Sequence, residues 1–209
     1  MRLVHDSWGF DVKLLLGSLY LICFVAGIHA QDSASNPRDT SGHVEVNGRS
    51  TPYLIRHLPV TSFPQLPAAV QSVLNQRGCT IPQTYEAHAP ENVVSASLER
   101  RGVMDWAVLC SEHGTVALLV FFANGGAEPT VLASAPETER LEAHGADGVL
   151  GFDWGIDAAS PQQVREAQTG MKSRPPLLDH DALADSRIDR ATVYHYFSAN
   201  AWTVVATAD

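Results

Sequence analysis

Met104-Asp105-Trp106-Ala107-Val108-Leu109-Cys110, then Ser111-Glu112-His113-Gly114, then Thr115-Val116-Ala117-Leu118-Leu119-Val120-Phe121-Phe122 is the stretch whose reading decides the fold. Two β-prone flanks, nearly free of charge, enclose a short polar connection that contains Gly, which predicts a β-hairpin. The second flank does not alternate. It is apolar on both faces, so it is expected as a central strand covered on each side.

Working outward from this hairpin, Asn92-Val93-Val94-Ser95-Ala96-Ser97-Leu98 alternates Val94, Ala96 and Leu98 and predicts a strand that pairs ahead of it. Pro129-Thr130-Val131-Leu132-Ala133 extends the meander on the other side. Further upstream, Leu66, Val70, Val73 and Leu74 recur at helical spacing over 66–78, with Pro67 in the first turn, Arg77 in the last and Gly78 placed to close the helix in the left-handed conformation. Val44-Glu45-Val46 before Asn47-Gly48 reads as one arm of a short hairpin, because Asn-Gly suits the positive φ values of a type I′ turn.

The C-terminal third reads differently. Ser160-Pro161-Gln162-Gln163 has the form of a capping box and opens a short helix to about Gln168, ended by Gly170. Asp179 to Asp189 reads as a second short helix. The chain closes on Thr192–Phe197, a turn at Ser198-Ala199-Asn200, and Ala201–Ala206, a hairpin with aromatic cross-strand pairs. The expected class is therefore α+β: an N-terminal helix, a largely antiparallel sheet built from a meander and a C-terminal hairpin, and short C-terminal helices.

At the N-terminus, Leu14 to Ile28 is an uncharged apolar run of roughly 15 residues, shorter than the ~20 a spanning helix needs. It closes on Ile28-His29-Ala30, a small-residue cleavage site. Residues 1–30 are thus expected as a secretory signal peptide, followed by a flexible lead-in over 31–50 that is rich in Ser, Asn, Asp, Thr and Gly, and a single domain over 51–209. Asp6 and Asp11 cancel Arg2 and Lys13 ahead of the apolar run, so retention as an uncleaved anchor stays open. The expected destination is the periplasm or the medium.

Cleavage removes two basic and two acidic residues and leaves the formal charge at −9. An acidic chain of this kind lacks the clustered Lys and Arg that phosphate backbones or anionic lipid call for. Nucleic acid, and a membrane after signal cleavage, are excluded as expected partners; a protein or envelope component, in particular a basic one, is favoured. Of three cysteines, Cys23 leaves with the signal, and Cys79 and Cys110 remain. In an oxidising compartment they read as one disulfide, closing a loop of about 30 residues worth ~3–4 kcal/mol. Two free thiols, or a nucleophilic Cys beside a His, are the alternatives.

Hydrolase elbows, zinc helices, phosphate loops and dinucleotide fingerprints are all missing from the sequence. No catalytic residue is assigned and no cofactor is called for. Two constellations stand out. Glu142, His144, Asp147, Asp153 and Asp157 run along a Gly-rich stretch with Phe152 and Trp154 between, a composition suited to a ligand-facing loop in which His144, Asp153, Trp154 and Asp157 receive a cationic or sugar-like group. An ordinary connection with turn residues is the favoured explanation. Asp179, His180, Asp181, Asp185 and Asp189 form an acidic cluster, and Asp179, His180 and Asp181 with His195 make a metal or acid–base set if the last hairpin folds back over them. The cluster fails as a calcium loop, since Leu183 stands at the fifth position and Ala184 at the sixth, where a ligand and Gly are needed.

Cys79-Thr80-Ile81-Pro82, Asn92-Val93-Val94, Asp105 to Ser111, Asp179-His180-Asp181 and Trp202 together resemble a group of exported bacterial proteins that carries no activity to transfer. The strand around Asp105-Trp106-Ala107-Val108-Leu109 is also similar to a single FG-GAP-type unit, but Glu99 to Met104 lacks the calcium loop of such units. The function expected from these features is an exported, disulfide-stabilised binding or inhibitor-like module. The alternative is a secreted hydrolase or metal-dependent enzyme using Asp179, His180 and Asp181 with His195.

Overall fold

The computed structural model describes residues 38–124, 128–174 and 177–208. The expected signal peptide lies outside these residues. Thirteen strands and two helices follow in order: β1 (Thr40–Val46), β2 (Arg49–Pro59), α1 (Ala68–Arg77), β3 (Thr80–Gln83), β4 (Val93–Ala96), β5 (Asp105–Glu112), β6 (Thr115–Phe121), β7 (Thr130–Pro136), β8 (Leu141–Ala143), β9 (Leu150–Phe152), β10 (Trp154–Ala159), α2 (Pro161–Ala167), β11 (Ala182–Arg187), β12 (Ala191–Ser198) and β13 (Ala201–Val205). The protein is mostly β, more so than the α+β expectation, and its sheets are antiparallel apart from the β2–β9 pair.

A nine-stranded sheet runs β7-β6-β5-β3-β2-β9-β8, with β1 beside β2 and β4 beside β5; a four-stranded sheet runs β10-β11-β12-β13. The β5–β6 hairpin sits at the heart of the first sheet, as its sequence predicts. Alternate residues of β6 enter different cores. Val116, Leu118 and Val120 join Leu109, Trp154, Ile156 and Leu183 between the two sheets. Leu119 and Phe121 join Val108, Cys110 and the α1 residues Val70 and Leu74 on the opposite face. A third cluster, Val164, Ala182, Ala184 and Val205, seats α2 on the far side of the four-stranded sheet. The layers are therefore helix, sheet, sheet, helix. With both faces of β6 dry, an alternating pattern would bury polar groups, which explains the continuous apolar run.

Local signals reappear as geometry. Gly78 closes α1 at φ 74°, and the Cys79 N–H reaches back to the Leu74 carbonyl at 2.9 Å, the pattern of a Schellman end. Pro67 precedes the first turn as N-cap. The Ser160 and Gln163 side chains form the reciprocal capping box of α2. Cys79 and Cys110 are bridged, with Cα atoms 5.2 Å apart across 31 positions of chain, tying the end of α1 to β5.

Four expectations are corrected. The β5–β6 connection is two residues, His113 and Gly114, both at positive φ, so pairing extends to Glu112 and Thr115. Thr40–Val46 is a strand paired along its whole length with β2, so that part of the lead-in over 31–50 belongs to the sheet. The stretch 142–157 is not an open loop, since it contains β9, the start of β10 and the last two residues of β8. Finally, Ala182–Arg187 is a strand where a helix was expected. Its partners β10 and β12 flank it on both sides, and Ala182, Leu183, Ala184 and Asp185 are all buried. Four consecutive buried residues feed two faces, which a strand does and a one-sided helix does not; tertiary pairing overrides the helical propensity of Ala and Leu.

Candidate functional site

The two sequence constellations meet different fates. In the first, Asp153 and Trp154 are fully buried, not ligand-facing. Trp154 donates from Nε1 to Asp185 Oδ1 at 2.7 Å and carries Arg140 over its ring at 4.0 Å, while Asp153 Oδ2 accepts from Arg187 Nε at 2.9 Å. His144 stacks flat on Tyr85, centroids 4.8 Å apart, and Glu142 pairs with Arg190. Burial, with a hydrogen bond to Asp189 in second place, pushes the Tyr85 phenol up to about 12. Asp157 keeps an exposed position on β10; surrounding protein, then the nearby Glu91 charge, raise its carboxyl above the ordinary range. Consecutive burial of Asp153, Trp154, Gly155 and Ile156, and the pairing of β9, turned much of the supposed ligand loop into core.

The second constellation separates into two. His195 lies on the inward face of the four-stranded sheet, where its Nε2 meets Asp185 Oδ2 at 3.1 Å. Asp181 is engaged elsewhere, accepting from the Ser97 N–H at 2.9 Å while its own N–H donates to the Ser97 carbonyl at 3.1 Å. The metal set Asp179, His180, Asp181 and His195 is thus not brought together. Among the described residues the one group with metal-ligand geometry is Cys79, Cys110 and Glu112, and its two sulfurs are joined in the disulfide rather than free as thiolates.

Asp179 and His180 are brought together with a residue the sequence analysis did not single out. The His180 ring donates from Nε2 to the Phe197 carbonyl at 2.9 Å and presents Nδ1 to Asp179 Oδ1 at 2.6 Å. Tyr196 donates its phenol to the same Asp179 oxygen at 2.8 Å and stacks its ring on His180, centroids 4.5 Å apart. The Tyr196 hydrogen bond first, then His180, hold the Asp179 carboxyl below its usual range; burial first, then Asp179, raise the Tyr196 phenol.

Three elements create this arrangement. The β4–β5 connection is shaped by buried Asp105, whose Oδ2 accepts from the Leu98 and Glu99 N–H groups at 2.9 and 2.7 Å. The reciprocal Ser97–Asp181 pair fastens the segment before β11 to that connection. The β12–β13 hairpin, turned tightly at Ala199 and Asn200 with φ of 50° and 61°, supplies Tyr196 and the Phe197 carbonyl.

Concavities of about 680, 360 and 360 Å3 adjoin at Asp179, which lines all three, with His180 in the last two and Tyr196 in the first two. Arg174, Arg100 and Arg101 stand one in each. All three arginines are exposed, and none pairs with a carboxylate among the described residues. These arginines line the face beside the carboxylates Glu99, Asp179 and Asp181, on a chain of net charge −9. The Arg100-Arg101-Gly102 turn is the one sequence signal that points to it. No family model, curated protein or solved structure matches the chain.

Proposed function

We propose that this protein is an exported, disulfide-stabilised binding module that holds a protein or envelope component on the face centred on Asp179, His180 and Tyr196. The observation that carries the reading is the meeting of three concavities on side chains already fixed by one another. Asp179 is 83% exposed yet hydrogen-bonded to two partners, so the face is pre-organised at little entropic cost to an incoming ligand. The export half of the reading rests on the apolar run Leu14–Ile28 and on a disulfide suited to an oxidising compartment. The net charge of −9 favours a partner that is basic overall, steered by long-range attraction.

The test uses the full chain expressed with its own N-terminus. N-terminal sequencing of the exported protein should return Gln31, and bait experiments on envelope and supernatant fractions should retain one partner in stoichiometric amount. Retention should fall at least about tenfold when His180→Ala and Tyr196→Phe are combined, as for residues at the centre of an interface. Equal retention by this variant sinks the assignment of the face. A stoichiometric metal, found by elemental analysis and lost in His180→Ala, would instead favour the metal-dependent enzyme.

A further inference from the structure

Among the described residues the outer edge of β13 is unpaired, because β13 ends the order of its sheet. Its register shows which groups face outward. The two-residue turn makes Ser198 and Ala201 the closing pair, and the ladder continues through Tyr196–Thr203 and Tyr194–Val205. Hydrogen-bonded pairs alternate in an antiparallel ladder, so the N–H and C=O groups of Trp202 and Val204 point away from β12. They make no hydrogen bond among the described residues. The largest concavity of the binding face, about 680 Å3, is lined by Thr203 and Val204 of β13 with Met171, Leu177 and Leu178, and reaches Tyr196 and Ser198 of β12. Leu177 is 75% and Val204 62% exposed, and Arg174 stands in the same groove.

We propose that this groove receives an extended peptide segment of the partner, paired in β fashion with Trp202 and Val204 and carrying a carboxylate that meets Arg174. This deepens the binding-module reading and rests on it. The backbone argues for a strand: two outward N–H and two outward C=O groups, spaced one residue apart, match an extended chain and no compact ligand. Apolar side chains of such a segment, pointing to one side at every second residue, cover Leu177 and Leu178. The carboxylate follows from charge complementarity, since Arg174 has no ion-pair partner among the described residues, whereas the groove's own anion, Asp179, is already satisfied by His180 and Tyr196. A second copy of this chain is the weaker occupant, because two bodies of charge −9 repel one another. A partner basic overall can still carry one acidic group at this position.

The probe is an octapeptide of alternating threonine and valine with a free C-terminal carboxylate, titrated into the full chain and followed by amide NMR shifts. The expected result is a saturable shift of the Trp202, Val204 and Leu177 amides. Affinity should fall about tenfold when the peptide is N-methylated at alternate residues, which removes two backbone hydrogen bonds. It should fall several-fold for the amidated peptide and for Arg174→Glu, an exposed change that leaves the core intact. Absent shifts, or equal affinity of the N-methylated peptide, overturn the proposal, as does a concentration-dependent dimer in sedimentation that buries β13. If the peptide fails while the His180→Ala, Tyr196→Phe variant still loses the natural partner, the binding face stands and only the strand-pairing mode falls. If the peptide binds while that variant keeps the partner, the face assignment falls instead.

Discussion

Two regions of this molecule use the same hydrogen-bond device at opposite depths. In the nine-stranded sheet, Glu137 Oε1 accepts from Ser111 Oγ and meets His57 Nε2 at 2.8 Å, with all three residues buried. At the outer face of the four-stranded sheet, Asp179 Oδ1 accepts from Tyr196 and meets His180 Nδ1, with the carboxylate side chain 83% exposed. Each is one carboxylate oxygen bridging a histidine and a hydroxyl. The inner group ties β2 and β5 to the turn after β7, and all three of its side chains are buried. The outer group has the same internal satisfaction and three open concavities around it. Depth, rather than residue type, separates a structural polar cluster from one available to a partner.

The largest expected effect comes from the wall beside the inner group. Replacing Cys79 and Cys110 together by Ser should lower unfolding stability by ~3–4 kcal/mol, read as a shift of the urea midpoint, with the peptide affinity of the outer face retained in buffer. Loss of that affinity in a folded variant would mean the two regions are coupled. Next, Glu137→Ala should cost ~2–3 kcal/mol by leaving Ser111 and His57 without the carboxylate that satisfies them in the core, whereas Asp179→Ala should barely move the midpoint. Equal costs would erase the distinction.

Gly151→Ala should cost ~1–3 kcal/mol by overpacking, because an added Cβ would lie 2.5 Å from the Tyr85 Cβ and 2.7 Å from His144 Nε2. A neutral result would show that the Tyr85–His144 stack gives way easily and is no part of the rigid interior.

Acid titration distinguishes the regions more gently. Burial raises the Glu137 carboxyl, but hydrogen bonds from His57 and Ser111, the His57 charge and a Thr40 contact together outweigh it and leave the group below its ordinary value. A depressed carboxyl stabilises the fold above its unfolded value and loses that contribution as pH falls through the folded one. Glu137→Gln should therefore flatten the acid limb of the stability curve. Asp157 works in the reverse sense: its raised carboxyl contributes below the ordinary Asp range and loses that contribution as pH rises through the folded value. Asp157→Asn should remove the rising-pH loss. Urea midpoints measured between pH 3 and 6 check both, and the Asp157 effect is the smallest of the set.

Much of the first region is legible in sequence. The continuous apolar run of β6, the left-handed Gly78 and the two cysteines each state a local requirement of backbone or burial, and each is met. The outer site is far less legible. Asp179 and His180 stand out as chemistry-bearing residues, but Tyr196 is hidden among alternating aromatic residues, and Arg100, Arg101 and Arg174 are separated by about 70 positions of chain. His195 looks like a natural companion of His180, yet alternation along β12 sends it to the inner face while Tyr196 takes the outer one.

By itself, the sequence determined what depends on neighbours within a few residues: α1 and its Gly78 end, the capping box of α2, the β5–β6 and β12–β13 hairpins, and the pair of cysteines available for one bridge. Tertiary structure alone decided that Ala182–Arg187 is a strand, that Asp153 and Trp154 are interior, and which residues surround Asp179. The physical reason is the range of the forces concerned. Capping, turn conformation and side-chain alternation act along the chain, whereas strand propensity yields to whichever edges are available, and a site exists only once distant segments have been packed to a common surface.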